Sequence, residues 1–319
     1  MTMYIYAVIM YSEIKTERSA LIMKMKKMLA LILALCLIVT AAAACGESGK
    51  DGGKEKLKVA TSPDFAPMAF VDTSKQGQEQ YVGFDMMLAH YIADEMGREL
   101  EIMPMSFDAC TTAVSTGTVD MAISGFSWKQ DREDNFNLSD FYYPGDNESD
   151  QVVIVRKEDE GKYTKPEDFE GMKVGAQTSS LQESLCQEQL TGCEIVTIGD
   201  LGTGLLQLKK GDFDAMAVAK GQADVFMSND PEVALSGFQF EVDDKYTANV
   251  IVMKKGADDL TKQVNDILKK AYDSGVYGEW YEEAKEMAMS ATAEEVTMPD
   301  EPSGSEEDGE AGESSTQEE

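Results

Sequence analysis

Two short stretches hold residue types suited to gripping a small anion. In Gly125-Phe-Ser-Trp-Lys-Gln-Asp-Arg132, the hydroxyl of Ser127, a run of backbone amides, a helix start and the guanidinium of Arg132 follow the apolar run Met121-Ala-Ile-Ser124. An arginine fork matches a carboxylate with two parallel hydrogen bonds, and a helix N-terminus attracts negative charge. The plainer reading is a surface arginine paired with Glu133 or Asp134. The second stretch, Gly175-Ala-Gln-Thr-Ser-Ser180, leaves an apolar run and opens a helix, so Ser179 or Ser180 caps it and can offer a hydroxyl to an anion. A plain N-cap explains the same residues. Phe65 and Phe107 each follow a predicted strand, where they either flank the apolar part of a small ligand or belong to the core.

Other chemistry is poorly served. The single histidine, His90, lies mid-helix in Ala89-His-Tyr-Ile, which leaves no second residue for a Ser/His/Asp set. Neither His nor Cys falls at zinc-ligand spacing, and Gly202-Thr-Gly204 lacks the Lys-Ser/Thr of a phosphate loop and the full dinucleotide fingerprint. No metal and no cofactor is expected.

The elements that must position these groups repeat. Thr116-Gly-Thr-Val-Asp-Met-Ala-Ile-Ser-Gly125 and Lys210-Gly-Asp-Phe-Asp-Ala-Met-Ala-Val-Ala219 both close a helix on glycine and begin an apolar strand after aspartate. Two such echoes predict two α/β lobes with a cleft beyond their strand ends. Strands are predicted at 57–60, 100–105, 121–124, 151–156, 172–176, 194–197, 215–218 and 248–253. Helices are predicted at 85–96, 107–115, 180–190, 203–210, 221–227, 260–274 and 277–287. The polar stretches 145–150 and 242–247 suit crossings between lobes, giving a first lobe of 57–147 plus 248–288 and a second of 148–247.

The formal net charge of -31 disfavours nucleic acid, which is held by clustered Lys and Arg. Part of that charge lies in the tail from Ala291 to Glu319, which has no Lys or Arg and reads as a solvated, disordered extension. At the other end Lys24, Lys26 and Lys27 precede the apolar run Met28 to Val39 and then Thr40-Ala-Ala-Ala-Ala-Cys45-Gly46. A spanning helix needs about 20 apolar residues, so residues 1–44 read as leader and export signal, with Met23 or Met25 as the start. Cys45 resembles the lipidated cysteine of a bacterial lipobox, although Ala42 stands where Leu is usual; an ordinary signal peptide with an incidental Cys is the alternative. Residues 45–56 then form a flexible tether. Cys186 and Cys193 could pair outside the cell, but with Cys110 they read as buried thiols, and no structural disulfide is expected.

Taken in order, Lys58-Val-Ala-Thr-Ser-Pro-Asp-Phe-Ala-Pro-Met-Ala-Phe70, Tyr81-Val-Gly-Phe-Asp85, Met105-Ser-Phe-Asp108, Gly117 to Arg132, Phe136-Asn-Leu-Ser-Asp-Phe-Tyr-Tyr143 and Gly171-Met-Lys-Val-Gly-Ala-Gln177 resemble the polar amino acid-binding proteins of ABC importers, solute-binding family 3. The resemblance runs from Leu57 to Met287. It implies the type II periplasmic-binding-protein fold, two α/β lobes on a two-strand hinge, closing on an amino acid or similar small molecule. It implies that Arg132 grips the ligand α-carboxylate with Ser127 and Ser180, that the Gly125 carbonyl accepts from the α-ammonium, that Phe65 and Phe107 flank the side chain, and that Gln177 touches it. It also implies a monomer, lipid-anchored on the outer face of the bacterial cytoplasmic membrane, whose partners are importer permease subunits.

Three departures stand out. Lys129 replaces a threonine, Ser62 stands where several members have an acidic residue, and Ala219, followed by Lys220, replaces the aspartate that pairs with the ammonium. Removing that partner costs several kcal/mol unless another group substitutes, for which Asp64, Asp85 and Asp108 are candidates, or unless the ligand is not a standard α-amino acid. The alternatives are a small carboxylic acid-processing enzyme of the same fold, resembling cyclohexadienyl dehydratase, and the sensory module of a membrane kinase. The latter needs a signalling domain where this sequence has the acidic tail.

Overall fold

The computed structural model describes residues 54–143, 149–246 and 248–290. The leader, Cys45, residues 144–148 of the first crossing and the acidic tail lie outside them.

Two five-stranded sheets organise the chain. The first contains β1 (Lys56–Thr61), β5 (Glu99–Pro104), β6 (Met121–Ala122), β7 (Phe136–Leu138) and β13 (Val252–Lys254), in the order β5-β1-β6-β13-β7. The second contains β8 (Gln151–Arg156), β9 (Lys173–Gln177), β10 (Glu194–Ile198), β11 (Ala215–Ala219) and β12 (Val233–Gln239), in the order β10-β9-β11-β8-β12. In both sheets three neighbours run parallel and the fourth strand is antiparallel to its neighbours on either side. Each sheet is the centre of one α/β lobe. A small third sheet joins β2 (Asp64–Phe65), β3 (Ala69–Val71) and β4 (Tyr81–Val82).

The repeated helix–glycine–aspartate signal has one physical meaning in both lobes. Helices α2 (Phe107–Thr116) and α5 (Leu201–Lys210) end on Gly117 and Gly211, at φ 78° and 85°, a left-handed geometry that costs glycine nothing. The following aspartates reach back to the neighbouring strand, Asp120 accepting from the Lys58 amide at 2.8 Å and Asp214 from the Lys173 amide at 2.9 Å. The connection is thereby pinned before the strand begins.

The other helices are α1 (Phe84–Glu95), α3 (Gln130–Asn135), α4 (Leu181–Gln189), α6 (Lys220–Asn229), α7 (Asp258–Ser274) and α8 (Val276–Ser290). Helix α7 buries Val264, Ile267, Leu268 and Ala271 at helical spacing against the first lobe. There Phe84 sits within 6.4 Å, centroid to centroid, of the rings of Tyr142, Tyr143, Tyr277, Trp280 and Tyr281. The second lobe packs separate clusters on the two faces of its sheet, one around Phe169 and Leu185, the other around Phe213 and Leu205. Helix α8 also reaches across: Ala288 packs with Ala66 and Phe70 of the first lobe and Val225 of the second.

Most expected elements appear with ends shifted by one or two residues. The strand expected at 248–253 is shorter, at 252–254, with Asn249 making isolated bridges to Ser127 and Tyr142 instead. The strand expected at 121–124 retains only two residues. Cys110, Cys186 and Cys193 are free thiols.

Candidate ligand-binding site

A small cavity lies where the two lobes meet. From the first lobe it is lined by Phe65, Phe107, Ser124, Gly125, Ser127 and Arg132. From the second come Gln177, Ser180, Leu181, Gln182, Leu201, Val218 and Ala219. Ser124 and Gly125 follow β6, Gln177 and Ala219 end β9 and β11, and Leu201 follows β10. The wall is therefore built from the carboxyl ends of strands in both sheets, the position that open α/β sheets reserve for ligands.

Arg132 is buried, with 6% of its surface exposed. One guanidinium nitrogen donates to the Ser127 carbonyl and the other, at 3.3 Å, to the Ser179 carbonyl of the opposite lobe. The guanidinium carbon lies 5.0 Å from the centre of the Phe126 ring, and that ring stacks on Phe107 at 4.5 Å. Burial pushes the pKa of Arg132 down to about 10, which leaves it charged at neutral pH. The plainer sequence reading, a surface ion pair with Glu133 or Asp134, does not describe this side chain. Lys129, the extra positive residue, is half-buried just before α3 and does not line the cavity; burial lowers its pKa too.

Gly125 stands at φ 60°, and a Cβ there would come 2.4 Å from Cε1 of Phe65. Glycine is needed both for the backbone and for the ring. Its amide donates to Asp85 Oδ2 at 2.7 Å, while the Tyr142 hydroxyl donates to Asp85 Oδ1 at 2.9 Å. Burial raises the Asp85 pKa to about 7.

Across the cavity Ser180 is the N-cap of α4, accepting from the Glu183 amide at 3.1 Å. Accepting there leaves the hydroxyl proton free to be donated. Ser179 before it has a positive φ of 66°, and its amide donates to Glu183 Oε2 at 2.8 Å. The sequence choice between Ser179 and Ser180 as cap resolves to Ser180, with Ser179 supplying the carbonyl that meets Arg132.

The lobes are also joined through Asp64. Its Oδ2 accepts from the Gln177 side-chain amide at 2.9 Å and from the Leu201 backbone amide at 2.8 Å, and its Oδ1 accepts from the Ser62 hydroxyl at 2.6 Å. Burial, then the nearby charge of Asp200, raises its pKa to about 6. Ser62 does not line the cavity: it supports Asp64 and donates its amide to Ser124 Oγ. Asp108 is exposed on α2 and takes the Ser106 hydroxyl. Of the expected residues, Arg132, Ser127, Gly125, Ser180, Gln177, Phe65 and Phe107 meet at the cavity. Leu181, Gln182, Leu201 and Val218 were not foreseen. The strand–Asp200–helix junction at Leu201 carries the same capping signal as Ser180, and could have pointed to it.

The sequence profile of the bacterial extracellular solute-binding proteins, family 3, matches residues 57–284. The chain belongs to that family. It is 33% identical over 260 residues to the arginine-binding extracellular protein ArtP of Bacillus subtilis, covering 79% of this chain and 94% of ArtP. A probable histidine-binding protein of Campylobacter jejuni is 29% identical, over 68% of this chain and 84% of the relative. Among solved structures, the amino acid ABC transporter substrate-binding protein AbpA of Streptococcus pneumoniae, bound to L-arginine, superposes with a TM-score of 0.67 at 34% identity. That match spans 77% of this chain and all of AbpA. The family 3 fold, two α/β lobes of the type II periplasmic-binding-protein class, is the one the sheets describe.

Proposed function

We propose that this family 3 protein is the substrate-binding component of an ABC importer, capturing an amino acid or related small carboxylate between its lobes and delivering it to the permease. The observation that carries this reading is the buried, charged Arg132, which lines an inter-lobe cavity opposite Ser180 and has only carbonyls among its hydrogen-bond acceptors. A buried cation needs a counter-charge, and a carboxylate entering the cavity supplies one. The Ser180 hydroxyl and the Ser127 hydroxyl line the same wall and can donate to its oxygens, while Phe65, Phe107, Leu201 and Val218 take the apolar remainder.

Capture favours closure because the ligand touches both lobes, and only differential contact shifts an open–closed equilibrium. The binding proteins among its relatives support a receptor over an enzyme. Export, lipidation at Cys45, anchoring on the outer face of the membrane, a monomeric state and docking on permease subunits complete the reading.

A thermal-shift screen of the folded domain against amino acids and carboxylates tests it, since a ligand of the folded state raises the melting temperature. Arg132→Ala is expected to remove the shift, and because it also strips a buried donor from the Ser127 and Ser179 carbonyls and its packing from Phe126, some lowering of the ligand-free melting temperature is expected with it. The loss corresponds to about 2–5 kcal/mol of binding energy. An unaltered affinity by calorimetry would take Arg132 out of the site.

A further inference from the structure

Resting on the reading of Arg132 as carboxylate ligand, we infer that Asp64 and Asp200 determine specificity. Set behind the Gln177 and Leu201 wall, they supply the negative charge that Ala219 lacks and call for a positive nitrogen, ammonium or guanidinium, on the captured carboxylate. Gln177 and Leu201 both line the cavity. Each is bonded to Asp64, through the Gln177 side-chain amide at 2.9 Å and the Leu201 backbone amide at 2.8 Å. An ionised carboxylate only accepts, so it holds the Gln177 side chain with its nitrogen toward Asp64. Oε1 of Gln177 is the atom left over, and no described residue donates to it.

Asp200 adds a second carboxylate one residue before Leu201. Its Oδ1 caps α5 by accepting from the Thr203 amide at 2.6 Å, whereas its Oδ2 is buried without a hydrogen-bond partner. A buried carboxylate oxygen that lacks a donor is costly. Asp64, fully buried beside it, is still largely ionised at neutral pH with its pKa at about 6. The donors to the two residues, Ser62, Gln177, Leu201 and Thr203, are all neutral. The N-terminus of α5 is equivalent to about half an elementary positive charge, too little to offset two carboxylates. A positive nitrogen against this wall meets Gln177 Oε1 as acceptor and the two carboxylates as counter-charge, in a setting where water screens them little. Arg132 and the α4 N-terminus at Ser180 meanwhile hold the carboxylate of the same molecule.

Calorimetry at neutral pH reads this as a charge preference, the affinity for a ligand with the positive nitrogen over that for its twin without it. Arginine against argininic acid, its 2-hydroxy analogue, and leucine against 2-hydroxy-4-methylpentanoate probe the α-nitrogen; arginine against citrulline probes a side-chain nitrogen. The wild type is expected to prefer the positive member at least tenfold in one of these comparisons, which identifies the nitrogen that faces Gln177. Asp200→Asn keeps a capping side chain, so near-wild-type melting of the ligand-free protein is expected with that preference cut at least fivefold. Asp64→Asn is expected to cut it likewise. A wild type without the preference overturns the inference, as does a folded Asp200→Asn protein whose preference is unchanged, which would confine Asp200 to capping. In either case binding that depends on Arg132 leaves the capture of carboxylates standing. If no compound binds the wild type, both fall. Should Asp64→Asn fail to fold, Asp200→Asn decides the matter alone.

Discussion

Single residues decide what the cavity can tolerate. Gly125 has no room for a methyl group, because its left-handed φ and the Phe65 ring 2.4 Å from an added Cβ act together. Gly125→Ala is expected to lower stability by about 1–3 kcal/mol; a loss below 0.5 kcal/mol in urea titration would show that Phe65 swings aside. Asp85 sets a pH dependence. Its pKa rises from a carboxylate's usual value near 4 to about 7 on folding, so between those values the folded chain binds the extra proton. Its contribution is therefore most favourable below pH 4 and is lost as pH climbs through about 7. Asp85→Asn can still accept from Gly125 and donate to Tyr142, so it is expected to flatten the decline in melting temperature between pH 5 and 8 relative to wild type. Identical slopes would refute the assignment. Spacing alone left Arg132 between an anion ligand and a surface ion pair, and Ser180 between a ligand hydroxyl and a plain cap; the structure puts both in the cavity wall. The sequence did not expose the Asp64 link, whose partners lie 113 and 137 positions away, nor that Ser62 serves Asp64 rather than the cavity.

The helices of the second lobe do two things at once. Ser180 caps α4 and also faces the cavity, so Ser180→Ala mixes a capping loss of about 1 kcal/mol with any loss of ligand. Ser180→Asp separates them: aspartate caps as well as serine but sets a negative charge against an incoming carboxylate. The expected outcome is near-wild-type melting of the ligand-free protein with binding at least tenfold weaker; retained affinity would confine Ser180 to capping. At this scale the sequence was most readable. Helical periodicity and terminal glycines located the long helices, whereas the two-residue β2 and β4, and the six-residue α3, are too short to show a period. Strand β12 was missed because Ser236 and Gly237 interrupt its apolar run, at the irregular register beside β8.

The whole molecule is governed by the seam between the lobes. Asp64 contributes hydrogen bonds to Gln177 and Leu201 across it, and Arg132 contributes one to Ser179. Asp64→Ala leaves the Gln177 amide and the Leu201 N–H without that acceptor, a cost of about 1–3 kcal/mol to the closed arrangement. The ligand-free variant is expected to show a larger radius of gyration than wild type in small-angle scattering; equal radii would mean that Asp64 does not hold the lobes together. The sequence revealed two lobes through their echo, because the same connection had to be written twice. It gave no sign that the last helix belongs to both.

That double attachment makes the end of α8 a natural place to record motion. Ala288 packs in one cluster with Ala66, Phe70 and Val225, and its carbonyl accepts from Asn229 at 3.3 Å. When the lobes separate, the tip of the helix must either stay with one of them or slip between both. A fluorescent label at Ser290 would report solute capture optically, far from the solute itself.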